Sequence, residues 1–179
     1  MKRLIVPILA IFSVCSVLAQ DAKKPQEPEY ANSFFFLDKD GTLKPLERQV
    51  ARVEVKSRGL AGVDTKYVLS NEHSTVRFPA KASLQFVVRL ESKDDPATIV
   101  QLYSLKVAKG QRELQAGKYR TFSGSKTTLG NTAVPFDVAK YGEGSVLLKP
   151  QTPLAPGEYT WGLNSNNQAY CFGIDPASP

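Results

Sequence analysis

Apolar and polar residues alternate with a period of two along much of this chain, and that period belongs to strands. At Ala51-Arg52-Val53-Glu54-Val55-Lys56 the residues Ala51, Val53 and Val55 point one way and the charged residues the other, which predicts a half-buried strand. Ser83 to Glu91 repeats the pattern with Leu84, Phe86, Val88 and Leu90 inward, and Ser92-Lys93-Asp94-Asp95-Pro96 ends it with turn residues. The apolar run Ser33 to Leu37 stops at Asp38-Lys39-Asp40-Gly41, whose Asp-Gly pair favours a tight turn into a strand from Thr42 to Leu46. A longer strand from Thr98 to Val107 turns at Lys109-Gly110 into Gln111 to Gln115. Shorter strands are predicted at Tyr67 to Leu69, Ser74 to Phe78, Tyr119 to Phe122, Thr132 to Ala139 and Ser145 to Lys149.

The chain closes on a hairpin. Tyr159, Trp161 and Leu163 share one face of its first strand, Asn164 to Asn167 provide the return, and Tyr170, Phe172 and Ile174 align on the second. Cys171 falls on the opposite face, with Ala169 and Gly173. After the first twenty residues apolar positions seldom recur at three and four, so little or no helix is expected. Many short strands between Gly, Pro, Asn and Asp predict an all-β fold, an antiparallel β-sandwich of immunoglobulin-like or jelly-roll-like type.

The segments DGTLKPLE, STVRF, LQFVVRLES, DPATIVQLYSLKVAKGQREL and LAPGEYTW with YCFGID, in that order, resemble an uncharacterised group of exported bacterial β-proteins. The resemblance covers most of the chain and implies one sandwich-like domain in a bacterial envelope. It carries no activity and no catalytic residues.

The N-terminus adds a destination. Lys2 and Arg3, the apolar run Leu4 to Val14 and Val17-Leu18-Ala19 have the layout of a signal peptide cleaved near Ala19. The expected organisation is signal peptide 1-19, flexible tether 20-30 and a single domain 31-176. Ser13-Val14-Cys15 loosely matches a lipobox, so a lipid-anchored envelope component through Cys15 is an alternative. No transmembrane helix is expected in the mature chain, which would be periplasmic, on the cell surface or extracellular. Loss of the leader leaves Cys171 as the single cysteine, excluding an intramolecular disulfide.

Charge and chemistry narrow the function classes. Net charge is +6, falling to +4 without Lys2 and Arg3, which gives no reason to expect specific nucleic-acid binding. His73 is the single histidine, and with Cys171 it does not make a zinc sphere, so neither metal nor cofactor is expected. Asp94-Asp95 reads as a turn before proline. Two binding features stand out. Lys106, Lys109, Arg112, Lys118 and Arg120 form a basic hairpin suited to an anionic surface, a polysaccharide or an envelope protein. Tyr159 and Trp161 form a candidate aromatic contact, with core packing as the competing role. The expectation is a non-enzymatic exported protein acting by binding or structural association. The competing expectation is a secreted hydrolase whose site is assembled from carboxylates or from Cys171 and His73.

Overall fold

A computed structural model describes residues 24-120, 124-127, 129-163 and 167-177. The elements are β1 (Phe34–Leu37), β2 (Leu43–Pro45), β3 (Glu47–Val50), β4 (Arg52–Ser57), β5 (Val63–Ser70), β6 (Arg77–Phe78), β7 (Phe86–Arg89) and β8 (Val100–Ala108). They continue with β9 (Gln111–Arg120), β10 (Gly124–Thr127), β11 (Phe136–Tyr141), β12 (Ser145–Pro150), β13 (Gly157–Leu163) and β14 (Gln168–Ile174). One helical turn, α1 (Pro96–Ile99), precedes β8. It starts where Asp95 caps the Ala97 amide at 3.0 Å and Pro96 takes the first helical position. A 3-10 turn covers Leu129–Asn131. The protein is thus an all-β sandwich. Among the described residues no helix is long and apolar enough to cross a membrane.

One layer is a five-stranded sheet in the order β11-β12-β7-β1-β2. The other is a nine-stranded sheet running β3-β14-β13-β8-β9-β5-β4, with β10 added to β9 and β6 to β14. All ladders are antiparallel except β6 on β14. The two ends of the larger sheet, β3 and β4, are consecutive in the chain and separated only by Ala51. Residues 47-50 pair with β14, the Ala51 amide reaches the Asn167 carbonyl at 2.8 Å, and residues 52-57 pair with β5. The larger sheet is therefore closed on itself, a ring formed by β3–β4, β14, β13, β8, β9 and β5.

Period-two alternation gives this ring two cores. Outward from β8, β13 and β14 point Leu102, Tyr159, Trp161, Tyr170, Phe172 and Ile174, which pack against Phe34, Phe86, Val88 and Leu148 of the flat sheet. Trp161 lies at the centre, stacked on Phe34 with centroids 5.8 Å apart and edge-on to Phe86 and Phe136. The predicted inner face of the final hairpin is this one; the Leu163 side chain lies outside the described residues. Inward from the same strands point small residues, Ala169 and Cys171, which meet Ala51, Leu69, Tyr67 and Leu105 across the ring.

Two expectations are corrected. Val53 and Val55 were expected to be half-buried with Ala51, but they are 44% and 65% exposed. They share the face of Ala51 by alternation, but among the described residues nothing packs over them as Ala169 and Cys171 pack over Ala51. The expected tether 20-30 is the second. Residues 20-23 lie outside the described residues, but from Lys24 the chain is docked and Pro28 is buried. Glu27 accepts hydrogen bonds from the Glu143 and Gly144 amides at 2.6 and 3.0 Å and from the Ser145 hydroxyl at 2.6 Å.

The Ser145 hydroxyl and the two amides hold the Glu27 carboxyl below the usual carboxylate range. A depressed folded-state value makes this clasp complete above the ordinary glutamate pKa and weakens it as pH falls through the lowered value. Glu27→Gln should speed hydrogen exchange at the Glu143 and Gly144 amides and expose the segment after Lys24 to proteolysis, without changing exchange in β13 and β14. Unchanged exchange at those two amides would show that the clasp does not hold the segment.

Candidate functional site

The closed ring has two ends with different chemistry. At one end, inward-facing positions carry charge: Glu47 on β3, Arg112 on β9 and Glu158 on β13. Arg112 is fully buried and donates to Glu47 Oε1 at 2.7 Å and to the carbonyls of Ser70 and Asn71 at 2.8 and 3.2 Å. Its other guanidinium nitrogen lies 3.9 Å from Glu158 Oε2. Glu158 also accepts from the Ser74 amide at 2.8 Å and from Arg77 Nη1 at 2.7 Å, and Arg77 Nε donates to Asp175 at 2.6 Å. Burial alone would raise the Glu47 carboxyl, but hydrogen bonds from Arg112, Ser74 and the Thr75 amide outweigh it and hold the group below its ordinary value. A Cβ at Gly173 would press on the Arg77 guanidinium and the Glu158 carboxylate, so a larger residue there displaces the Arg77 side chain from this cluster. These groups form an ionic plug across the ring.

The other end holds a cavity of about 120 Å³. Its walls are the side chains of Leu69, Leu105 and Leu114, closed over by Leu129 of the 3-10 turn, with Tyr67 and Tyr103 among them. Backbone pairing supports that roof: the Ser104 amide donates to Thr132 O at 2.9 Å and the Val134 amide to Leu102 O at 2.8 Å. Burial raises the Tyr103 hydroxyl above the ordinary phenol value, and the neighbouring Tyr67 adds to the shift. Neither tyrosine hydroxyl has a hydrogen-bond partner among the described residues. Thr160, Asn167 and Gln168 add polar groups to the lining, and the exposed Val53 lies directly opposite Tyr67 in the β4–β5 ladder.

The residues singled out from sequence are placed as follows. Arg112 is removed from the basic hairpin: it is the centre of the plug and has no surface to offer. Lys106, Lys109 and Lys118 are exposed, and the side chain of Arg120 lies outside the described residues. Lys109 and Gly110 form the β8–β9 turn at φ of 55° and 76°. Lys118 sits more than about 20 Å further along β9 at the usual rise per residue. Acid is interleaved between them: Glu113 lies opposite Lys106 and binds Lys66 at 2.5 Å, and Lys66 binds Glu54 at 3.1 Å. Among the described residues, Lys106, Lys109 and Lys118 make no single patch. Tyr159 and Trp161 are buried in the sandwich core and present no aromatic surface.

Cys171 and His73 do not meet as a dyad. Cys171 is fully buried, donates only to Thr160 Oγ1 at 3.7 Å, and burial pushes its thiol up to about 11. His73 is largely exposed, with Nδ1 3.2 Å from Glu158 Oε1. Among the described residues no group of three His, Cys, Asp or Glu is arranged to hold a metal ion. The cavity had no signal in the sequence, because its lining comes from residues of five strands and one turn that ordinary core patterning also produces.

No family model, curated protein or solved structure matches this chain.

Arg112→Met leaves the partly buried Glu47 without its cation and the buried Glu158 with Arg77 alone, and should cost roughly 3 kcal/mol or more in denaturant unfolding. Lys106→Ser and Lys109→Ser, at exposed sites, should stay within about 0.5 kcal/mol. Cys171 should resist thiol reagents at neutral pH in the folded protein and react fully once unfolded, because the thiolate is the reactive form. Rapid labelling under native conditions would contradict its burial.

Proposed function

We propose that this protein is an exported, non-catalytic binding module of a bacterial envelope, and that the open end of the ring is its binding site. The observation that carries the reading is the cavity: largely apolar walls and two tyrosine hydroxyls with no hydrogen-bond partner among the described residues. Small β-barrels use their interior in this way to hold one small ligand. A cavity of about 150 Å³ accepts a benzene ring, so one of this size suits a small ring or a short branched alkyl group. An oxygen or nitrogen on that group would meet Tyr67 or Tyr103.

The charged groups support binding over catalysis. Glu47, Glu158, Arg112 and Arg77 hold one another, and leave no carboxylate pair facing the cavity. The leader at residues 1-19 supports export, and the docked segment from Lys24 places the folded body only a few residues after the expected cleavage site near Ala19.

Phenol, a ring with one polar atom, is a suitable probe. Titration should give saturable NMR shifts at the methyl groups of Leu69, Leu105 and Leu114, and Ala169→Leu, which fills the cavity, should remove them. Absence of saturable shifts in the unsubstituted protein would overturn this siting. Mass spectrometry of the mature chain should find an N-terminus at Gln20; a lipid-modified Cys15 would replace the cleaved form with an anchored one.

A further inference from the structure

β4 ends the larger sheet, and among the described residues the strand 52-57 pairs with β5 alone. The strand has six residues, no proline and an unbroken register, and its alternate residues Val53 and Val55 are exposed apolar side chains. Natural sheets blunt such an edge with proline, a bulge or a very short strand. The edge strand β2 shows the usual treatment, with three residues of which one is Pro45. β4 carries charged residues instead, Arg52, Glu54 and Lys56, which deter pairing where like charges meet and favour it where opposite charges meet, so an edge of this length is a template for a strand of complementary charge.

The opposite face of β4 indicates which strand. It carries Arg52, Glu54 and Lys56. Glu54 is bonded to Arg52 at 2.6 Å and to Lys66 at 3.1 Å, while Lys56 has no ion-pair partner among the described residues. An antiparallel pairing of β4 with a second β4 about Val55 sets Val55 opposite Val55, Val53 opposite Ser57, and each Glu54 opposite the Lys56 of the other copy. Opposite charges in directly facing positions stabilise a ladder, and two such pairs form at once by symmetry. Arg52 then faces Arg58 at the ladder ends, where each retains its own carboxylate, Glu54 and Asp64. The register centred on Val53 is blocked, because it needs the sides of Val50 and Ala51 that β14 already occupies. The register centred on Glu54 brings Arg52 against Lys56 and Glu54 against itself.

We infer that two copies of this chain associate through β4, antiparallel and in the register centred on Val55. The occupant of the edge is a second copy because the charge pattern of this strand complements itself in the register centred on Val55, whereas the register centred on Glu54 sets like charges against each other.

Single-cysteine substitution of the exported chain tests the register, since Cys171 is buried and does not compete. Under mild oxidation Val55→Cys should form a disulfide-linked dimer in high yield and Val53→Cys should not. Light scattering across a concentration series should show a monomer–dimer equilibrium. Lys56→Glu, which sets two glutamates against each other, should weaken it roughly tenfold, and adding Glu54→Lys should restore it. Equal cross-linking at both positions, a monomer at every concentration, or stronger association of Lys56→Glu would each overturn the proposal. So would Val55→Cys joining a different polypeptide in the source envelope, which would assign the edge to a foreign strand.

Discussion

The architecture rests on one strand shared between two ladders. Residues 47-50 satisfy the edge of β14, residues 52-57 satisfy the edge of β5, and Ala51 is the corner between them. Because both ends of the sheet are the same stretch of chain, the sheet cannot lie flat, and closure creates an interior that must be filled or left as a cavity. A larger residue than alanine at the corner would project into that interior, where Ala51 already meets Leu69, Ala169 and Cys171.

Closure also sets the two-sided character of β13 and β14. Their outward residues are large and aromatic because the flat sheet lies against them and a sandwich core is densely packed. Their inward residues are small or hydrogen-bonded because the ring is narrow. Glu158 and Thr160 alternate with Tyr159 and Trp161 for this reason, not because the hairpin has a wet side. A buried carboxylate is tolerable only with counter-charge and donors around it, and Arg112, Arg77 and the Ser74 amide supply them. The ionic plug therefore joins β3, β9, β13 and the segment after β5 at one end of the ring, and leaves the apolar end as the place where something else can enter.

The strand pattern was legible where one side of a strand faces a deep core. Phe86 and Val88 of β7, and Tyr159, Trp161, Tyr170 and Phe172 of the last hairpin, are buried as their alternation indicates. The same pattern failed at Val53 and Val55, since alternation says which residues share a face but not whether anything covers it. It failed at Arg112 for the opposite reason. An arginine between exposed lysines reads as surface by type, and its burial depends on Glu47 and Glu158, which lie 65 and 46 positions away along the chain. The cavity was not legible at all, because leucines that line a void and leucines that fill one have the same local pattern.

Local residue order failed at Thr98 and Ile99, which were expected in a strand and lie in the helical turn α1. It was sufficient for the β class, for the strands β7, β13 and β14, and for the turns at Asp38 to Gly41 and Lys109-Gly110. These depend on backbone preferences and on neighbours within a few residues, both written along the chain. Closure of the sheet at Ala51, the ionic plug, the open cavity and the bare edge of β4 depend on which distant strands become neighbours. That choice is made by the packing of the whole molecule, so only the assembled fold contains it.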